Sequence, residues 1–181
     1  MAGHDRTTAE GRRFFKEIED LTKLQVRVGF TSGGSGYGAN SEPVTAKDYE
    51  DGPTIVEVAA WNEFGTYNTP PRPFLRQSVE NYTEQISVMC KAQLQAIASG
   101  KQTAESALKA IGALQVGLVQ HTIRDGGFEP NAPITIQGGW MRNQKSGKPF
   151  YVKGKGSSRP LIDTGRMRQS VHYVIKPKGD D

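Results

Sequence analysis

A chain of 181 residues, 35% of them apolar, is long enough for one domain with a real core, while its 21 glycines and 10 prolines assign a substantial share to loops. No apolar run approaches the ~20 residues that cross a bilayer, the charged start at residues 1–6 leads into no apolar signal segment, and a lone Cys90 excludes an internal disulfide, so cytoplasmic folding is expected. The net charge of +4 is unevenly spread, with residues 1–100 at −3 and residues 101–181 at +7.

Residues 7–22 predict a helix, because Phe14, Ile18 and Leu21 form one apolar stripe. Leu24, Val26, Val28 and Phe30 then alternate as in a half-buried strand. Residues 31–53 are polar and glycine-rich, hold neither period, and are expected to be a flexible loop. Thr54 to Phe64 is apolar and Ala-rich, and Gly65 stands where a glycine stops a helix. Pro70, Pro71 and Pro73 make an extended spacer. A long helix is expected next, with Leu75, Val79, Tyr82, Ile86, Met89 and Ile97 on its apolar face until Gly100. Thr103 is placed to cap another helix, with Glu105 near its positive end and a stripe of Leu108, Ile111, Leu114, Leu118 and Thr122. Residues 127–159 read as a second long irregular insertion, and residues 171–175 as a closing strand. The expected fold is α+β: one domain over residues 1–181, with a small antiparallel sheet packed on about three or four helices and two long extended loops.

Few residues suggest catalysis. Asp163-Thr164-Gly165, preceded by Leu161-Ile162, matches the short motif of retroviral-type aspartic proteases, which pair two such carboxylates across a dimer. Here Arg166-Met167-Arg168 follows, and nearby arginines oppose the shared proton that chemistry needs. Asp163 is read instead as a helix cap. The glycine-rich run 33–38 lacks the Lys-Ser/Thr ending of a phosphate loop. Cys90 lies on an apolar helix face, and His121 and His172 stand without paired ligands, so all three are read as structural. No cofactor, metal site or enzymatic activity is expected. Between Glu129 and Asp163 the chain has no acid but carries Arg142, Lys145, Lys148, Lys153, Lys155 and Arg159, interleaved with Trp140, Phe150 and Tyr151. That pattern suits DNA, an acidic protein face or a merely solvated loop.

Two blocks carry a family resemblance. Trp61-Asn62-Glu63-Phe64-Gly65-Thr66, followed by Pro70-Pro71-Arg72-Pro73-Phe74-Leu75-Arg76, resembles a passage of tailed-phage neck, or head–tail joining, proteins. Pro160-Leu161-Ile162-Asp163-Thr164-Gly165-Arg166-Met167 and its continuation to Val171 is similar to a passage of the same group, shared with lambda-type minor tail protein Z (tail completion) and Mu-type virion morphogenesis proteins. The resemblance implies a structural virion protein that forms a ring, most often a hexamer, between head connector and tail around the DNA channel. It implies contacts with neighbouring connector and tail rings, non-specific contact with packaged DNA and no membrane. Within the first block, Glu63 is expected to pair with Arg72 and Arg76 while Phe64 and Phe74 pin the corner. A nucleic-acid-binding protein outside a virion, and a dimeric protease using Asp163, are the alternatives.

Overall fold

The computed structural model describes residues 8–31, 35–45, 53–67, 69–143, 146–162 and 165–179. Helix α1 (Ala9–Lys23) starts where the Thr8 hydroxyl accepts the Gly11 N–H at 3.1 Å, and it passes directly into strand β1 (Leu24–Gly29). β1 pairs antiparallel along its whole length with the last strand, which therefore joins the two ends of the chain; its register sets Leu24 against Pro177 and Gly29 against His172.

The segment 31–53 is not the featureless loop the sequence suggests. It holds β2 (Ser35–Tyr37) and β3 (Pro43–Thr45), an antiparallel pair that extends the sheet. The reason lies in tertiary contact. A Cβ at Gly36 would stand 2.4 Å from the His172 ring and 2.5 Å from the Tyr173 carbonyl oxygen, so only glycine lets this strand lie so close to its neighbour.

Helix α2 (Ile55–Phe64) begins with a reciprocal cap in which Glu57 N–H donates to the Thr54 hydroxyl and Thr54 N–H donates to the Glu57 carboxylate. The long helix expected after the proline spacer is two helices, α3 (Phe74–Glu80) and α4 (Thr83–Ala98). At the break the Thr83 hydroxyl donates to the carbonyls of Val79 and Glu80, acceptors that a continuous helix would use for its own amides. Val79, expected in the apolar stripe, is consequently half exposed.

Helix α5 (Ala104–Asp125) is the longest element, capped as expected by Thr103, whose hydroxyl accepts the Ser106 N–H. Of the expected stripe, Leu108, Leu118 and Thr122 are buried while Ile111 and Leu114 are only partly covered; Gly112, Val116, Val119 and Ile123, which were not expected, are buried as well. Tyr173 selects this face by pressing its ring against the helix backbone at Gly112.

The insertion 127–159 is also structured. Helix α6 (Pro133–Gln137) leads into a separate hairpin of β4 (Gly138–Arg142) and β5 (Pro149–Lys153). A short helix α7 (Arg166–Ser170) precedes β6 (His172–Pro177), which completes a main sheet of order β1-β6-β2-β3. The expected α+β class with a small antiparallel sheet is what the structure has, with seven helices among the described residues. Helices α2, α3, α5 and α7 close one core around Ile55, Phe74, Val116, Val171 and Tyr173. Fully burying each such large side chain contributes roughly 1.5–3 kcal/mol. No described helix is long and apolar enough to cross a membrane.

Gly112 is a tight point of this packing. A Cβ there would fall 2.6 Å from the Tyr173 ring and 2.9 Å from a Val26 methyl group. Gly112→Ala is expected to destabilise the fold by about 1–3 kcal/mol through overpacking, despite alanine's better helix propensity. Urea unfolding checks it, and a gain in stability would show that α5 and β6 do not meet this closely.

Candidate functional site

The first block forms a corner between α2 and α3. Gly65 ends α2 with φ at 78°, a conformation that favours glycine, and a Cβ there would stand 2.9 Å from Pro71 N and Thr69 O. Thr66 and Thr69 then exchange backbone hydrogen bonds across a tight turn, and the chain returns so that Arg72 N–H donates to the Asn62 carbonyl at 2.6 Å. The Asn62 side-chain amide in turn donates to the Val58 carbonyl at 2.7 Å.

The expected pairing of Glu63 with Arg72 and Arg76 side chains does not occur. Glu63 is buried, and its carboxylate accepts the backbone N–H groups of Leu75 at 2.8 Å and Arg76 at 3.1 Å. It thereby caps α3, whose own N-cap, Pro73, offers no side-chain acceptor. Arg72 points elsewhere: its buried guanidinium donates to the carbonyls of Glu129 and Pro130. Burial pulls its pKa below the ordinary arginine value, opposed by the Glu129 carboxylate. Arg76 is exposed.

Only one of the two expected apolar pins is inside. Phe74 is fully buried and meets Phe30 edge-on at 6.0 Å. Phe64 is 73% exposed, beside Trp61 at 47% and Tyr67 at 94%. Tyr67 was not among the expected site residues. Its one sequence signal is an aromatic placed between a helix-stopping glycine and a proline run.

The second block packs against the first. Met167 and Val171 share the core cluster of Ile55 and Ala59 from α2, with Leu161 and Ile162 against it. Asp163 and Thr164, the expected cap and the protease motif, lie outside the described residues, as does Lys145. The N-cap of α7 is Gly165, with φ at 77° and no side-chain cap, and Arg166 opens the helix. Leu161 adopts φ of 61°, a costly value for a branched side chain. Lys155 steadies this stretch: its ammonium donates to the carbonyls of Arg159 and Ile162, both at 3.0 Å.

The basic stretch is therefore divided. Lys155 and the backbone of Arg159 serve the base of the insertion, whereas Arg142, Lys148 and Lys153 are exposed on the hairpin. The Arg159 charge also helps hold the Asp125 carboxyl below its usual range, after the larger effect of its hydrogen bond from Arg124. His172 is buried between the Ser170 carbonyl and the Thr31 hydroxyl, and Cys90 is a partly covered free thiol. Among the described residues, no group of three or more His, Cys, Asp or Glu is placed to hold a metal ion. Comparisons with protein families, curated proteins and solved structures return no match.

Removing the Glu63 carboxylate leaves two amides at the start of α3 without their acceptor. Glu63→Ala is expected to cost about 1–3 kcal/mol in urea unfolding. Because Glu63 meets the Arg76 backbone and not its side chain, Glu63→Ala and Arg76→Ala should be additive within about 0.5 kcal/mol. A larger coupling would show that the side chains pair after all.

Proposed function

We propose that this protein is a structural, non-enzymatic subunit of a ring at the head–tail junction of a tailed phage, acting in the neck or in tail completion. The observation that supports it is the corner between α2 and α3. Its polar groups Asn62, Glu63 and Arg72 are all spent on internal hydrogen bonds, while Trp61, Phe64 and Tyr67 are left on the surface. The two sequence blocks that resemble neck proteins, about 90 residues apart by their numbering, pack into one core cluster at this corner.

A cluster of exposed aromatics on a rigid support is the feature of a contact surface, since aromatic side chains bring large buried area at small entropic cost. A closed ring needs head-to-tail contacts, in which one face of a subunit meets a different face of the next. The corner supplies one such face. Its partner face lies on the neighbouring copy, with the head connector and tail as further partners along the channel axis.

Electron microscopy of the purified full-length protein is expected to show closed rings with a central hole wide enough for duplex DNA. Compact two-fold dimers, or particles that remain monomeric at the highest soluble concentration, would overturn the reading. The triple change Trp61→Ala, Phe64→Ala and Tyr67→Ala should abolish rings while leaving the melting temperature nearly unchanged, because these side chains contribute little to the monomer core.

A further inference from the structure

The hairpin of β4 and β5 has two unlike faces. Residues opposed across a pair share a face, so Gly138 with Lys153, Trp140 with Tyr151 and Arg142 with Pro149 lie on one side. Gly139 with Val152 and Met141 with Phe150 lie on the other. That second face turns toward α6, for a Cβ at Gly139 would stand 2.7 Å from Ile134 Cδ1.

The first face is left open. Trp140 is 73% and Tyr151 58% exposed, and their rings meet edge-on with centroids 5.6 Å apart. Arg142 and Lys153 bracket this pair from opposite ends of the hairpin, roughly 13 Å apart at ~3.3 Å per residue. Among the described residues neither cation is in an ion pair with an acid, and Lys148 adds a third exposed charge in the turn.

We propose that this face binds a single-stranded nucleic acid, with bases stacking on Trp140 and Tyr151 and phosphates held by Arg142 and Lys153. Exposed aromatic rings flanked by cations match such a strand in both of its parts, since every unstacked base offers a π-face and every linkage a negative charge. A duplex keeps its bases stacked on one another and uses only the cations. An acidic protein segment likewise uses the cations and leaves the aromatic pair without the flat partners it can accept. The inference stands apart from ring assembly: it concerns a different surface and is read by a different measurement.

The test is fluorescence anisotropy of a labelled oligothymidylate with the full-length protein across a salt series, beside a blunt duplex of equal length and unlabelled polyglutamate as competitor. The single strand should bind best, and polyglutamate should compete poorly. Trp140→Ala with Tyr151→Ala should weaken strand binding by about 10- to 100-fold, and Trp140→Phe with Tyr151→Phe should recover most of it. Arg142→Ala with Lys153→Ala should reduce the dependence of log affinity on log salt by about 1.4, at ~0.7 for each phosphate no longer neutralised. Trp61 and Trp140 are the two tryptophans of the chain, so quenching by the oligonucleotide in a Trp61→Phe protein reports Trp140 directly, whether or not the alanine variants fold. No strand binding, absence of that quenching, duplex binding equal to strand binding, or full competition by polyglutamate would each overturn the proposal.

Discussion

Two buried carboxylates hold helices that are not their own. Every helix begins with amides that have no partner within it, and a buried start needs acceptors from outside. Glu17 of α1 accepts the Ala104 N–H at the start of α5, and Glu63 of α2 accepts two amides at the start of α3. Both side chains are buried, at 8% and 6% exposure, so their positions are fixed and so are the helices they cap. The carboxylate charge sits at the positive end of each helix, which makes these bonds stronger than a neutral cap. α1 is thereby tied to the central helix, and the corner that places Phe74 in the core is closed by one side chain. Much of the arrangement of α1, α2, α3 and α5 depends on these two residues.

What the sequence shows directly is what local chemistry decides. Thr103 before an Ala-rich amphipathic run, Gly65 after one, and the alternation of Val26 and Val28 each signal their element without help from the rest of the chain. What it hides is decided at long range. Gly36 looks like loop composition until His172 and Tyr173 lie against it. Likewise Glu63 looks like half of an ion pair, because arginines 72 and 76 are near in sequence, whereas the stronger demand comes from the amides of α3. Thr83 reads as an ordinary helix residue, yet its hydroxyl takes two carbonyls at the point where one expected helix becomes two. The candidate corner was legible as residues and not as geometry: apart from Tyr67 its members are the expected ones, but the partners of Asn62, Glu63 and Arg72 are backbone groups.

The same bonds explain where the surface is sticky. At the corner, the Asn62, Glu63 and Arg72 side chains are turned to internal partners, and Trp61, Phe64 and Tyr67 are left exposed. That cluster differs from scattered exposed residues such as Val88 or Leu94 along α4, which are ordinary on a protein surface. A rigid platform matters for a contact of this kind, because less conformational entropy is lost when a partner arrives.

The hairpin is held by comparable means, and its direction follows from them. A two-stranded hairpin is marginal alone, so its base has to be fixed by other groups. Arg72 grips the incoming chain at the carbonyls of Glu129 and Pro130, while Lys155 grips the outgoing chain at Arg159 and Ile162. Asn131 closes the base by donating to the carbonyls of Ser157 and Arg159, and the amides of Lys155 and Gly156 donate to α6. Lys155, one of the cations that composition alone would assign to an external polyanion, is thus a strut, and Arg72 is a second on the other side of the insertion. Because Arg72 belongs to the corner and Ile162 packs against the core beside α7, the hairpin is braced from both sequence blocks at once. The base of the hairpin is thereby held by side chains and backbone groups from several segments, and Arg142 and Lys148 lie at its other end.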